Sequence, residues 1–223
     1  MDFRHEWKHE ISPGDIPALR SRLSAVMGID NHAADGRYTV HSLYFDTPDD
    51  RALREKVNGV SRREKFRLRY YNDDTSRISL EKKLKIDGLC AKLQAEITFE
   101  EALALVRGEY RVSMLDSPPL LQELHRKMAV QSLLPRVIVQ YVREPFVYAP
   151  GNVRVTLDYD IRAGTGCEEF LEPDCCTIPV PRSSAVLEVK WDSFLPSIIR
   201  DLVQTPGTRT GAFSKYAACR MYG

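Results

Sequence analysis

Hydrophobic and polar residues alternate with a period of two along about six stretches of this chain, the spacing that gives a β-strand one apolar and one polar face. Residues 3–11 put Arg4, Glu6, Lys8 and Glu10 on one face and Phe3, His5, Trp7, His9 and Ile11 on the other. Strands are likewise predicted over 38–45, 62–71, 78–86, 137–147, 153–163 and 186–192, with a short one through 93–99. In 62–71 the face opposite Phe66, Leu68 and Tyr70 carries Arg63, Lys65, Arg67 and Arg69. Helical spacing of apolar residues predicts helices over 16–26, 100–107 and 118–131, with shorter ones over 51–57, 196–203 and from Ser214 onward. Asn58-Gly59, Asn72-Asp73-Asp74, Asp87-Gly88 and Pro150-Gly151-Asn152 supply turn chemistry between them. No repeat or linker divides the chain, so 1–223 is expected to be one domain.

The polar faces hold charges of both signs, and the helices need an apolar sheet face to cover. Two arrangements meet that demand. The charged face can be wet, as in an open antiparallel sheet with helices on one side. Alternatively the sheet closes on itself, which buries the charges in a lumen and removes the edges. In the second arrangement Lys8, Arg63, Lys65, Arg67, Arg69, Lys83, Lys85, Arg143, Arg154 and Lys190 converge. Such a density of cations is costly unless a polyanion neutralises it, and Arg forks and Lys ammonium groups suit phosphate oxygens. Glu6, Glu10, Glu81, Asp158, Asp160 and Glu188 then pair with neighbouring cations or, for Glu188 above all, ligate the Mg²⁺ or Mn²⁺ that travels with a triphosphate.

Bulk composition narrows the partners. With 32 Lys and Arg against 31 Asp and Glu the net charge is +1, so a generalised attraction to nucleic acid or membrane is not expected. No apolar run approaches a membrane span, and the N-terminal residues lack a signal-peptide core. Five cysteines without framework spacing suit a reducing cytoplasm. Cys167, Cys175 and Cys176 are expected as unpaired thiols, and His5 and His9 as packed or surface residues rather than ligands. The Gly-bearing segment 205–211 is not a P-loop and is expected as a mobile loop near a tunnel mouth.

Eight short motifs together resemble the VTC (vacuolar transporter chaperone) domain, the polyphosphate polymerase branch of the triphosphate tunnel metalloenzymes. They are Phe3-Arg4-His5-Glu6-Trp7-Lys8, Leu43-Tyr44-Phe45-Asp46-Thr47, Lys65-Phe66-Arg67-Leu68-Arg69-Tyr70 and Leu80-Glu81-Lys82-Lys83. Further on come Tyr141-Val142-Arg143-Glu144-Pro145-Phe146, Arg154-Val155-Thr156-Leu157-Asp158, Val186-Leu187-Glu188-Val189-Lys190 and Phe213-Ser214-Lys215-Tyr216. The resemblance implies an α+β fold: a closed antiparallel barrel of about eight strands with a charged lumen and helices packed outside. It implies transfer of the ATP γ-phosphate to a growing polyphosphate chain with Mn²⁺ or Mg²⁺. Lys8, Arg67, Arg69, Lys83, Arg143, Arg154, Lys190, Ser214 and Lys215 would bind the phosphates, and Glu188 would ligate the metal. The first strand reads Glu6-x-Lys8-x-Glu10 rather than the Glu-x-Glu-x-Lys of hydrolase and cyclase relatives, which favours the polymerase branch. Neither the regulatory SPX domain nor the membrane helices of the eukaryotic assemblies occur in this sequence, so coupling to transport is not expected. A triphosphate hydrolase with water as acceptor, or a non-catalytic polyphosphate- or nucleotide-binding module, would use the same lumen.

Overall fold

The computed structural model describes residues 3–33, 35–110, 117–180, 185–205, 209–210 and 213–222. In chain order the strands are β1 (His5–Ile11), β2 (Gly28–Ile29), β3 (Tyr38–Asp46), β4 (Arg62–Tyr71), β5 (Asp74–Ile86) and β6 (Leu89–Ile97). They continue with β7 (Leu134–Tyr148), β8 (Val153–Gly164), β9 (Thr177–Pro179), β10 (Ala185–Trp191) and β11 (Arg209–Thr210). The helices are α1 (Ile16–Ser24), α2 (Arg51–Val57), α3 (Phe99–Val106), α4 (Pro119–Gln131), α5 (Ser197–Leu202) and α6 (Lys215–Cys219). Of segment 205–211, residues 206–208 and 211 lie outside the described residues, and with them the expected mobile loop.

Local chemistry accounts for the element ends. Asp87 and Gly88 both adopt positive φ, 48° and 88°, as a two-residue hairpin turn between right-twisted strands requires. That turn starts β6 at Leu89, earlier than the hydrophobic pattern alone predicts. Thr98 and Glu101 form a reciprocal capping box at the start of α3. Gly151 turns β7 into β8 at φ +74°, where an added Cβ would lie 2.4 Å from the Phe194 carbonyl oxygen.

Nine strands form a continuous antiparallel ladder in the order β11-β1-β10-β8-β7-β3-β4-β5-β6, with β2 on β7 and β9 on β8. The ladder does not close. Its two sides meet at one isolated bridge, where Arg4 and Cys90 exchange backbone hydrogen bonds of 2.9 and 3.1 Å. Among the described residues the strands therefore form a wrapped sheet with a seam, and hydrogen bonds do not complete the expected closed barrel. Side chains span the remainder of the seam: Glu6 of β1 accepts from Lys83 of β5 at 2.9 Å and from the Cys90 thiol at 3.7 Å.

Two apolar clusters cover the outer face. Leu43, Phe66, Leu68 and Leu80 pack beneath α3 and α4 through Ala102, Leu105, Leu121 and Leu124. Val155, Leu157, Leu187 and Val189 pack beneath α1 and α5 through Leu19, Leu23 and Ile199. Each fully buried leucine contributes about 2 kcal/mol of transfer free energy. An ionic tie reinforces α4: Lys82, buried on the outer face, meets Glu123 at 2.5 Å and Glu64 at 2.9 Å, and Glu64 also takes Lys127.

A third cluster occupies the inner face. Val137, Val139 and Tyr141 alternate in register with Arg143 and pack with Tyr38, Val40, Tyr216 and Cys219. Helix α6 thus plugs one end of the concave space, and charged residues line the rest. No helix among the described residues is long and apolar enough to cross a membrane.

Candidate functional site: a cation-lined lumen

The inner face encloses a cavity of about 410 Å³. Eleven cationic side chains line it: Lys8, Lys56, Arg63, Lys65, Arg67, Arg69, Lys83, Lys85, Arg143, Lys190 and Lys215. Only Glu6, Glu64 and Glu188 among the lining residues are acidic, and Tyr44, Tyr141, Phe213, Ser214 and Tyr216 complete much of the wall. Alternation along five strands aims these charges inward because the opposite faces are committed to the outer clusters.

Carboxylates organise the cations into three groups. In the first, Lys8 and Lys190 both reach Glu6 and Glu188: Lys8 at 2.9 and 3.5 Å, Lys190 at 3.8 and 2.6 Å. Lys83 adds 2.9 Å to Glu6. Register explains the convergence, since Lys8 faces Glu188 and Glu6 faces Lys190 across β1 and β10. Burial pulls the Glu6 carboxyl upward, but Lys83, Lys8 and Lys190 outweigh it and hold it below the usual carboxylate range. Glu188 is lowered in the same way, burial being overcome by Lys190, Lys8 and Lys83.

In the second group Glu81, 1% exposed, accepts from Arg67 Nε at 2.7 Å and Lys92 at 2.9 Å, with Arg69 at 3.7 Å. Arg67 also donates to the Tyr44 hydroxyl at 2.8 Å, and Arg69 to Ser42 and Tyr141. In the third, Asp158 accepts two 2.7 Å hydrogen bonds from Arg143 and one of 2.6 Å from Lys215, whose ammonium also lies 4.6 Å from the Tyr141 ring centre. Ser214 caps α6 by accepting from the Ala217 amide, which fixes Lys215 at the helix start.

Of the residues expected at the site, Lys8, Arg67, Arg69, Lys83, Arg143, Glu188, Lys190, Ser214 and Lys215 are brought to this cavity. Arg154 is not. It lies one pair further along β8, beside Lys190, and there meets Asp30 and the Tyr38 hydroxyl, each at 2.9 Å. Lys65 also lines the cavity, with its ammonium 4.3 Å from the Tyr216 ring centre. Tyr44 was legible, since it alternates with Ser42 and Asp46 on the inner face of β3. Lys56 was not, because it comes from a helix that the pattern assigns to covering the sheet.

A divalent cation is part of what the sequence resemblance implies, and the donor set can be tested for it. Among the described residues no group of three or more His, Cys, Asp and Glu side chains could hold a metal ion by itself. Glu6 and Glu188 do supply adjacent hard oxygens, and the buried Thr156 hydroxyl, across the strand pair from Glu188, has no hydrogen-bond partner. One or two carboxylates completed by substrate phosphates is how Mg²⁺ is commonly bound. The residues therefore fit a metal that arrives with its phosphate ligand. All five cysteines are free. His5 stacks on Trp191 at 5.2 Å, outside the charged lumen.

The fold is shared with solved structures of low sequence identity. One is a candidate adenylate cyclase from Bacillus halodurans, 15% identical with a TM-score of 0.54, covering 86% of this chain and 82% of its own. Another is a candidate adenylyl cyclase from Hippeastrum described as having a dominant triphosphatase activity. It is 16% identical with a TM-score of 0.56, covering 99% of this chain and 96% of its own. No curated protein matches by sequence. The VTC domain model matches residues 3–222. The chain belongs to the VTC domain family.

Proposed function

We propose that the lumen transfers the γ-phosphoryl group of ATP to a polyphosphate chain, with the whole span 1–223 acting as one unit. The observation that carries this reading is the excess of cations over carboxylates lining the cavity, eleven against three, with Glu6 and Glu188 two of the three. Phosphate is the ligand whose charge density and oxygen geometry match such a lining. Arg67, Arg69, Arg143 and Lys215 would hold the triphosphate extended, the Arg forks positioned by Glu81 and Asp158. Lys8, Lys83 and Lys190 would turn from Glu6 and Glu188 toward phosphate oxygens, freeing the two carboxylates for Mn²⁺ or Mg²⁺. The bound ion would neutralise charge on the phosphate oxygens.

The acceptor's terminal oxygen forms a bond to the γ-phosphorus. The bond to the bridging oxygen breaks, and ADP leaves with the electron pair. An acceptor phosphate is already anionic near neutral pH, so no general base is needed and catalysis rests on positioning and charge neutralisation. Incubation with ATP and Mn²⁺ followed by sizing of the products tests the reading: long polyphosphate chains are expected. Orthophosphate alone would establish the second reading, a triphosphate hydrolase, which the activity described for the Hippeastrum neighbour favours. Tight ATP binding without ADP release would make the lumen a binding module.

A further inference from the structure

The cations of the cavity differ in how they are neutralised. Lys8, Lys83 and Lys190 share Glu6 and Glu188, Arg67 sits on Glu81, and Arg143 and Lys215 sit on Asp158. Lys56, Arg63, Lys65 and Lys85 line the same cavity without a carboxylate ion pair among the described residues. Arg63 donates to the Val60 carbonyl, and Lys65 faces the Tyr216 ring. Glu64, which also lines the cavity, gives its carboxylate to Lys82 and Lys127.

These four cations come from α2, β4 and β5, and their placement is unfavourable in the empty protein. Arg63 is paired directly with Lys85, and Lys65 with Lys83, across the β4–β5 ladder. Like charges directly opposite one another destabilise a sheet. Lys56, at the end of α2, adds a further positive charge within range of Lys8, Arg63 and Lys85. Burial, and then Lys83, Lys8, Lys56 and Arg63, push the Lys65 ammonium down to about 7. Two like-charged cross-strand pairs at a cavity wall, in which only Lys83 has a carboxylate partner among the described residues, make a place for an incoming anion.

We infer that Lys56, Arg63, Lys65 and Lys85 form a second anion subsite, which receives the inorganic phosphate acceptor while the nucleotide's triphosphate occupies the carboxylate-bearing centre. The inference rests on the transferase reading above and sharpens it. Transfer to a phosphate acceptor requires two polyanions in the lumen at once, whereas hydrolysis requires one. The unpaired cations supply counter-charge for the second without drawing on Glu81, Asp158, Glu6 or Glu188.

The test saturates the full chain with the β,γ-imido analogue of ATP and Mg²⁺, then measures pyrophosphate binding by calorimetry. Pyrophosphate should bind with the analogue still in place. The triple substitution Lys56→Gln, Arg63→Gln, Lys85→Gln should weaken that second binding by about tenfold or more and the analogue by less than about threefold, as loss of several charge-assisted contacts at one subsite predicts. One-for-one displacement of the analogue, equal losses for both ligands, or unchanged pyrophosphate affinity would each overturn the subsite. Failure of the native chain to bind the analogue at all would instead overturn the transferase reading, and the subsite with it. Without ligand, the triple variant should melt no lower than the native protein, because it relieves repulsion. A lower melting temperature would mark these side chains as structural and overturn the subsite.

Discussion

Arg143 and Asp158 face each other across β7 and β8 and form a two-point ion pair, with both N–O distances 2.7 Å and the aspartate fully buried. Lys215 completes the arrangement at 2.6 Å, so one carboxylate holds two cations that come from different parts of the chain. Removing it leaves two buried positive charges without a partner. Asp158→Asn, which preserves shape, should lower unfolding stability by about 3 kcal/mol, measured by denaturant titration. Tripolyphosphate should restore part of the loss by supplying the missing negative charge. Unchanged stability would mean that solvent, not Asp158, neutralises Arg143.

The same aspartate sets a pH dependence. Burial raises its pKa, but Arg143 and Lys215 more than offset this and place the folded-state value below the ordinary 3.8. Its contribution is therefore fully present above the unfolded value and lost as pH falls through the folded one. Acid titration of the native protein should show a loss of stability beginning below about pH 4 that the Asp158→Asn variant lacks.

Glu188→Gln keeps the side-chain volume and removes one of the two carboxylates shared by Lys8 and Lys190. Metal-dependent turnover should fall by about a hundredfold or more, read as ADP release against metal concentration, while the circular dichroism spectrum stays native. Full activity in this variant would exclude Glu188 as a metal ligand.

Arg67→Gln removes a guanidinium that Glu81 and Tyr44 aim into the cavity. ATP affinity should drop by about tenfold, the value of a lost charge-assisted contact, and the slope of affinity against salt should become shallower. Equal affinity in native and variant proteins would make Arg67 a structural counter-ion of Glu81.

Lys65 titrates in the opposite sense to the acids. Its folded-state value near 7 lies below the ordinary 10.5, so the unfolded chain binds more protons and stability rises with pH across that interval. Lys65→Met should flatten the rise between about pH 7 and 10 in thermal unfolding. A bound phosphate chain should draw a proton onto Lys65, visible as buffer-dependent binding heats near pH 8 that the variant loses.

Much of the charged wall was legible because period-two alternation fixes which side chains share a face. Arg67, Arg69, Glu81 and Lys83 needed only the β4–β5 pairing to come together, and the Asp87-Gly88 turn marks where β6 begins. Alternation says nothing about which strand ends meet. The seam at Arg4 and Cys90, and the pairing of Arg154 with Asp30 instead of the lumen, depend on contacts between residues far apart in sequence. Helix α6 was legible as a helix but not as a plug, because five residues carry too little periodicity to show which face they bury. Lys56 is a similar case: its own helix gives no sign that its end leans over the cavity.

The distribution of the Glu6–Glu188 centre along the chain has a consequence for synthesis. Its carboxylates stand 182 residues apart and come together only because β1 pairs with β10, while Lys215 arrives later still. Domains form as units during translation, the N-terminal part emerging first. Until β10 leaves the ribosome, Lys8 and Lys83 lack Glu188, and the partly made wall presents cations with half their counter-charge missing. The Glu6–Glu188 centre therefore forms in one late step, when β10 is laid against β1.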